Sequence, residues 1–369
     1  MRRRIRISSR KPRPSARRGL GVAALSLVMV GIIGAPAFAC GGLVAPNGTI
    51  NLLKTTTLSA YVDGVEHYIT SFEFAGGGGK FGSIIPLPGI PSNVKRGGDW
   101  TLQRLVEEIQ PPVLRNSLFA AAGLADSAKV IQEYQIDALD LTILKGGGDE
   151  VGTWAKDNGF NLPPDAPEVL DFYADRSPIF MAASFDATRA KKLGQKIGDG
   201  TPIHVTIPTD NPWVPLRILG LGRQSSEVIE ADVFLLTETS PAMLPAPIDP
   251  TVFPNRIGGE APLGMTLERS EAASRFLLAD LRSDKGMKWL PNKGMWLTYL
   301  KINAKAGALQ HDLAVDVTGA NRPSLVAAGL EQPAEPFVPT RGTPVLAWLT
   351  AGALCFGVLL VTGKIIGNE

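Results

Sequence analysis

Hydrophobic and polar positions alternate with period two from Thr55 to Val62 and again from Val65 to Phe74, with Asp63-Gly64 between the runs. That dipeptide suits a type I′ turn, whose two central residues need positive φ, so a β-hairpin is predicted. In its second strand Tyr68, Phe72 and Phe74 share one face, and His67, Ile69, Ser71 and Glu73 share the other. Four glycines, Gly76 to Gly79, lead into "KFGSIIPLPGIP", predicted as the third strand of a meander. Leu102, Leu105, Val106 and Ile109 then recur at helical spacing, with Asp99 placed to cap and Pro111-Pro112 to stop the helix. Beyond it the pattern predicts a strand over 137–144, short helices in "DEVGTWAKDNGF" (closed by Gly159) and "DAPEVLDFYADR", and a strand in "PIFMAASFDA". Strands follow in "PIHVTIP", "VPLRILGL" and "VIEADVFLL". A proline-rich stretch near 240–255 is either a linker or a packed loop. A helix is predicted over 266–282 around Leu267, Phe276, Leu277 and Leu281, then closing strands in "GMWLTYLKI" and "HDLAVDV".

The two ends have their own patterns. Nine Arg and Lys and no acid occupy the first eighteen residues, an apolar run reaches Phe38, and Ala37 and Ala39 supply small residues. Positive, apolar, small is the order of a secretory signal, so residues 1–39 are expected to be a signal peptide and Cys40 the mature N-terminus. Near the other end Val345 to Thr362 carries no charge, and residues 344–363 as a helix would span about 30 Å. Between lie an expected extracytoplasmic domain at 40–325, which the stretch near 240–255 subdivides if it is a linker, and a Pro-rich stalk at 326–343. Residues 364–369 are left as a cytoplasmic tail. Strands and helices mix without strict βαβ alternation. The expected fold class is therefore α+β: antiparallel sheets with several short helices, plus one C-terminal transmembrane helix.

Charge changes this picture once the ends are set aside. The whole chain is formally +2, but residues 40–342 hold 27 cations against 34 acids. A body near −7 disfavours nucleic acid and anionic lipid as partners. The expected partners are the membrane itself, through the C-terminal helix, and another membrane or envelope protein. The other cysteine, Cys355, falls inside the expected span. For Cys40 this leaves lipidation, an intermolecular disulfide, or a free N-terminal residue.

Several stretches taken in order resemble a bacterial secreted family known only as domain of unknown function 2330. They are "ACGG", "FGSIIPLPGIP", the block from "LTILKGGGDEVGTWAKDNGF" to "FMAASFD", "VTIPTDNPWVPLRI" and "MWLTYLKINAKAGALQHDLAVD". The resemblance runs through most of 38–318. Its more specific parts are Trp154, Asn158-Gly159-Phe160, Leu162-Pro163 and Pro215-Leu216-Arg217. Family members often carry aromatic residues after Cys-Gly-Gly, where this chain has Leu43 and Val44. The resemblance implies an exported, membrane-tethered domain and brings no activity and no catalytic residues.

Candidate chemistry is sparse. The three histidines, His67, His204 and His311, lack the close spacing that catalytic zinc sites draw from one short motif. No Gly-x-Ser-x-Gly elbow and no Walker spacing occurs, and no motif calls for a cofactor. Carboxylate pairs remain. Asp171 and Asp175 lie four apart on a predicted helix, and Asp312 and Asp316 share a face of a predicted strand. Such pairs can bind calcium or serve as acid and base, or simply form a solvated face. Trp213, among prolines, is read either as a recognition residue or as cover for a core edge. The expected function is a membrane-anchored extracytoplasmic binding or scaffold domain at the cell surface. The alternative is an extracytoplasmic carboxylate-dependent hydrolase acting on the envelope.

Overall fold

The computed structural model describes residues 37–38, 42–44, 54–73, 81–109, 130–195, 200–250 and 264–333. The chain enters through two short strands, β1 (Ala37–Phe38) and β2 (Gly42–Val44). The predicted hairpin follows as β3 (Lys54–Val62) and β4 (Val65–Glu73), with Asp63 and Gly64 at φ 52° and 77°. After β5 (Phe81–Pro86) and β6 (Asn93–Arg96) comes α1 (Thr101–Ile109). A second hairpin joins β7 (Val130–Ile136) to β8 (Leu139–Lys145). Then come α2 (Gly148–Asp157), α3 (Ala166–Ala174), β9 (Ile179–Phe185), α4 (Ala187–Lys192) and β10 (Gly200–Pro208). The rest is β11 (Trp213–Val214), β12 (Val228–Thr237), β13 (Ala242–Leu244), β14 (Met265–Ala272), α5 (Arg275–Ser283), β15 (Trp296–Lys305), β16 (Leu313–Asp316) and α6 (Leu325–Ala328).

Two sheets stack face to face, and a helix pair covers each outer side. The large sheet runs β14-β15-β12-β3-β4-β10-β6, with β1 beside β3; the second runs β2-β5-β9-β8-β7. Alternation decides which side chains meet. Ile203, Val205, Ile207 and Val233 of the large sheet pack against Leu139, Leu141, Ile143 and Met181 of the second. On the large sheet's outer face Leu58, Ile69, Phe234 and Leu236 meet Leu105 of α1 and Leu277, Leu278 and Leu281 of α5. On the second sheet's outer face Phe180 and Ala182 meet Trp154 of α2 and Leu170 and Tyr173 of α3. Burying each such side chain contributes about 1.5–3 kcal/mol before entropy is counted. β12 and β15, on either side of the 240–255 stretch, are neighbours in one sheet, and Ala327 and Ala328 are buried.

Four expectations change. The strand after Gly76–Gly79 does not extend a meander: β5 pairs with β9 and β2 in the second sheet. Its consecutive Ile84 and Ile85 are both fully buried, so it needs cover on both faces. The first half of the helix expected over 266–282 is strand β14, paired antiparallel with β15. Ser274 then caps α5, its Oγ accepting from the Leu277 N–H at 3.0 Å. Of "VPLRILGL" only Val214, the end of β11, is strand, before a 3-10 turn at Arg217–Gly220.

The α+β mixture holds, and the sheets are mostly antiparallel, with β3 parallel to β12. Among the described residues, however, no helix is long and apolar enough to cross a membrane. The longest, α2, has 10 residues, about 15 Å against a hydrocarbon core of about 30 Å. Residues 344–363, on which the expected transmembrane helix fell, lie outside the described residues, as do Cys40 and residues 1–36.

The start of α1 shows how distant residues complete local structure. Asp99 does not cap it. The buried Asp284, beyond α5, accepts from the Asp99 and Trp100 N–H groups at 2.9 Å each and from Thr101 Oγ at 2.7 Å. A Cβ at Gly98 would run into Thr101 Oγ and Asp284 Oδ2, which is why glycine stands there. Asp284→Ala is expected to cost about 2 kcal/mol by orphaning these donors. Urea unfolding would show it as a lower midpoint at unchanged slope.

Candidate functional site

The β4–β10 ladder places His67 opposite Thr206 and His204 opposite Ile69. The two histidines are therefore diagonal neighbours on the outer face of the large sheet. His67 Nδ1 and His204 Nε2 are 2.8 Å apart. The indole of Trp289, from the loop after α5, stacks on His67 with centroids 3.6 Å apart and planes within 4°. Lys95 of β6 pairs with His204 on the next strand. Burial, then the charge of Lys95, pushes the His67 pKa down to about 4. Burial, then His67 and Lys95, pushes that of His204 down to about 3. Both rings are neutral at pH 7, and one N–H between them serves as the bond.

The ring centroids lie 5.0 Å apart. That exceeds the N···N distance by close to two ring radii, so the nitrogens face each other head-on. A metal bound at about 2.0–2.1 Å from each nitrogen does not fit in line across such a gap. His311 is elsewhere, its Nδ1 3.3 Å from the Gly329 carbonyl. Among the described residues no group of three His, Cys, Asp or Glu is placed to hold a metal. His204 Nδ1 and Trp289 Nε1 are buried without hydrogen-bond partners among the described residues.

The residue before His67 points the other way. Glu66 is fully buried between the sheets. Ser59 Oγ donates to its Oε1 at 2.7 Å. Its Oε2 has no partner among the described residues. Burial raises its pKa to about 7, against the pull of Ser59 and of the nearby Trp213 backbone N–H.

A third cluster joins α3, α6 and the approach to β16. Asp312 Oδ1 accepts from the Leu216 and Arg217 N–H groups at 2.7 and 3.0 Å and from Tyr173 Oη at 2.8 Å. Arg176 Nη2 donates to Oδ2 at 2.6 Å, and Nη1 donates to the Ala327 carbonyl at 2.6 Å. Tyr173 Oη in turn accepts from the Ile218 N–H at 2.9 Å. Burial, then the Asp312 charge, holds the Tyr173 hydroxyl well above its usual pKa. The Arg176 guanidinium lies 4.1 Å from the Phe172 ring centroid and 5.0 Å from that of Trp213.

The sequence candidates thus separate. Trp213 is buried against Tyr173, centroids 5.7 Å apart, so it covers the core rather than the surface. Asp312 is the hub of the buried cluster, whereas Asp316 sits in a turn with Thr318 Oγ and the Asn321 N–H each 2.9 Å from Oδ2. Burial works to raise the Asp316 pKa, but the donors from Asn321, Thr318 and Ala320 together hold it below the usual range. Asp171 accepts from the Gly148 N–H at 2.9 Å and steadies the start of α2. Asp175 is exposed at the end of α3. Glu66, Trp289, Lys95, Tyr173 and Arg176 were not candidates. One signal was available: alternation puts Glu66 on the same strand face as Tyr68, a lone acid among buried positions.

A family model described as "Uncharacterized protein conserved in bacteria (DUF2330)" matches residues 34–240, more than half of the chain. No curated protein matches. Similar solved structures include baculovirus P35, at 10% identity and TM-score 0.37, covering 72% of this chain and 96% of that one. A mutated baculovirus P35 after caspase cleavage shows 8% identity over 72% and 94% of the two chains, TM-score 0.35. The caspase-8/P35 complex gives 8% identity over 72% and 90%, TM-score 0.33. At such TM-scores the likeness carries no inference.

Proposed function

For this chain, which belongs to the DUF2330 family of bacterial proteins, we propose an exported binding or scaffold domain that works outside the cytoplasm with another envelope protein as partner. One observation carries the choice of binding over hydrolysis. The carboxylates best placed in the sequence for acid–base work are spent on the fold: Asp312 accepts four donors, Asp316 closes a turn and Asp171 steadies a helix start. A general acid or base needs a free site within reach of substrate; the Asp312 oxygens are enclosed by the protein's own N–H and O–H groups and those of Asp316 accept from its turn, which leaves the exposed Asp171, one oxygen on the Gly148 N–H, as the carboxylate open to solvent. Export rests on the order of charge, apolar run and small residues over 1–39.

The test has two arms. For export, N-terminal sequencing of the protein recovered from cells is expected to begin at Cys40, so that β1 (Ala37–Phe38) leaves with the signal, and protease added to spheroplasts is expected to digest residues 40–325. A chain that retains Met1 and resists protease overturns export. For binding, crosslinking in intact cells is expected to capture one stoichiometric envelope protein. Turnover of envelope substrates by the purified full chain, lost on Asp171→Asn, overturns the binding reading.

A further inference from the structure

We infer that the outer face of the large sheet between Lys95 on β6 and His204 on β10 binds a phosphate group, whose oxygens pair with the Lys95 ammonium and accept from Nδ1–H of His204. The inference rests neither on export nor on an envelope partner.

Register fixes the neighbours. Lys95 stands opposite His204 and Asn93 opposite Thr206, so four side chains rise from the corners of one patch, about 5 Å across the strands and about 7 Å along them. His204 is 1% exposed, Lys95 and Thr206 are half-buried and Asn93 is exposed, so the patch opens to solvent along the Asn93–Thr206 row. Two corners are unfinished. No carboxylate pairs with Lys95 among the described residues. His204 Nδ1 is buried without a hydrogen-bond partner. The two nitrogens of an imidazole face nearly opposite ways. Because Nε2 meets His67 of β4 at 2.8 Å, Nδ1 is turned away from β4, the side on which β6 lies. When His67 donates in that bond, His204 Nδ1 carries a buried N–H with no acceptor, a costly arrangement that an anion beside Lys95 would resolve. The nearby acids are committed elsewhere: Asp99 pairs with Arg96, Asp284 accepts from the start of α1, and Glu66 lies on the other face of β4. Lys95 accordingly depresses the pKa of both histidines, as a cation without a counter-ion does. The loop that seats Trp289 on His67 adds the exposed Lys285 and Lys288, so the positive character is local on an acidic body. Phosphate oxygens diverge toward several corners at once, whereas the two oxygens of a carboxylate lie in one plane.

The test is titration of the full chain with inorganic phosphate at neutral pH and constant ionic strength, read by calorimetry and by nitrogen NMR of histidine-labelled protein. Saturable binding with a Kd of about 1 mM or tighter is expected. His204 Nδ1 is expected to move to the position of a protonated nitrogen while the His311 signals stay in place. Lys95→Met is expected to weaken binding about tenfold or more. No saturation well above that concentration, equal binding of acetate, or unchanged affinity in Lys95→Met overturns the site. Should that variant not fold, Asn93→Asp at the exposed corner sets a negative charge against the ligand and is expected to abolish binding; unchanged affinity there overturns the site as well. Glycerol phosphate then distinguishes the source, and either ranking supports the site: tighter binding than inorganic phosphate assigns an esterified phosphate, weaker binding the free ion.

Discussion

Asp312→Ala is expected to destabilise the protein by about 3–5 kcal/mol, because it leaves the Arg176 guanidinium buried without its partner. The side chains of Arg176 and Asp312 are 3% and 0% exposed, so water does not replace what is lost. The same change strips acceptors from the Leu216 and Arg217 N–H groups and from Tyr173 Oη, donors that pack too deeply to find others. For a domain of this size that corresponds to a fall in Tm of roughly 10 °C. Asp171→Asn is the contrast. Asp171 is exposed and holds one helix-end N–H, so the expected cost is below about 1 kcal/mol. Chemical denaturation followed by circular dichroism measures both. A cost below about 1 kcal/mol for Asp312→Ala would mean that the cluster is not the tie between α3, α6 and β16 that its geometry describes. If that variant does not accumulate, Tyr173→Phe gives a milder reading, expected at about 1–2 kcal/mol.

Stability is expected to rise with pH between about 4.5 and 6.5, by about 1 kcal/mol per pH unit, and removing the two histidines is expected to reverse that slope. Both folded imidazoles have pKa values depressed from 6.5, to about 4 and about 3. Below pH 6.5 the unfolded chain therefore takes up two protons that the folded chain refuses, and stability falls as pH falls toward those folded values. Glu66 works the other way. Its folded pKa is raised from 4.5 to about 7, so the folded chain keeps a proton through this window that the unfolded chain loses. Two against one leaves a net uptake of one proton on unfolding, worth about 1.4 kcal/mol per pH unit, reduced because His67 is partly exposed. In His67→Phe with His204→Leu only Glu66 remains, and stability should fall as pH rises from about 4.5 to 7. Denaturation midpoints at five pH values distinguish a rising line from a falling one. Parallel lines for the native chain and the double variant would dismiss the histidine pair as the source.

The hairpin at Asp63-Gly64 was readable from local chemistry alone, since positive φ at two successive residues leaves few alternatives. So were α1, from Leu102, Leu105, Val106 and Ile109, and α2, closed by Gly159 at φ 82°. The second hairpin was half missed. Its turn is Asp137-Ala138, and Asp137 reaches φ 54° without a following glycine, so β7 carried no turn signal. β14 was read as helix because Leu267 precedes the apolar run of α5. Its strand character comes from β15, two to three dozen residues away.

The candidate site was less legible. Each histidine was visible, but their 2.8 Å contact depends on the register of β4 and β10, residues separated by 137 positions. The carboxylate pairs misled for the opposite reason: spacing placed Asp312 and Asp316 on one strand face, yet β16 begins after Asp312, which turns into the core to meet Arg176.

By itself the sequence determined the α+β mixture, the hairpin, most strand and helix segments, and the charge pattern of the two ends, because each follows from periodicity and local backbone preference. The tertiary structure alone decided which sheet β5 joins, that Asp284 rather than Asp99 holds α1, and that Glu66, His67 and Asp312 have three unlike environments. Those outcomes are set by burial and by partners distant in the chain, and a carboxylate or an imidazole acquires its chemistry only once its neighbours are fixed.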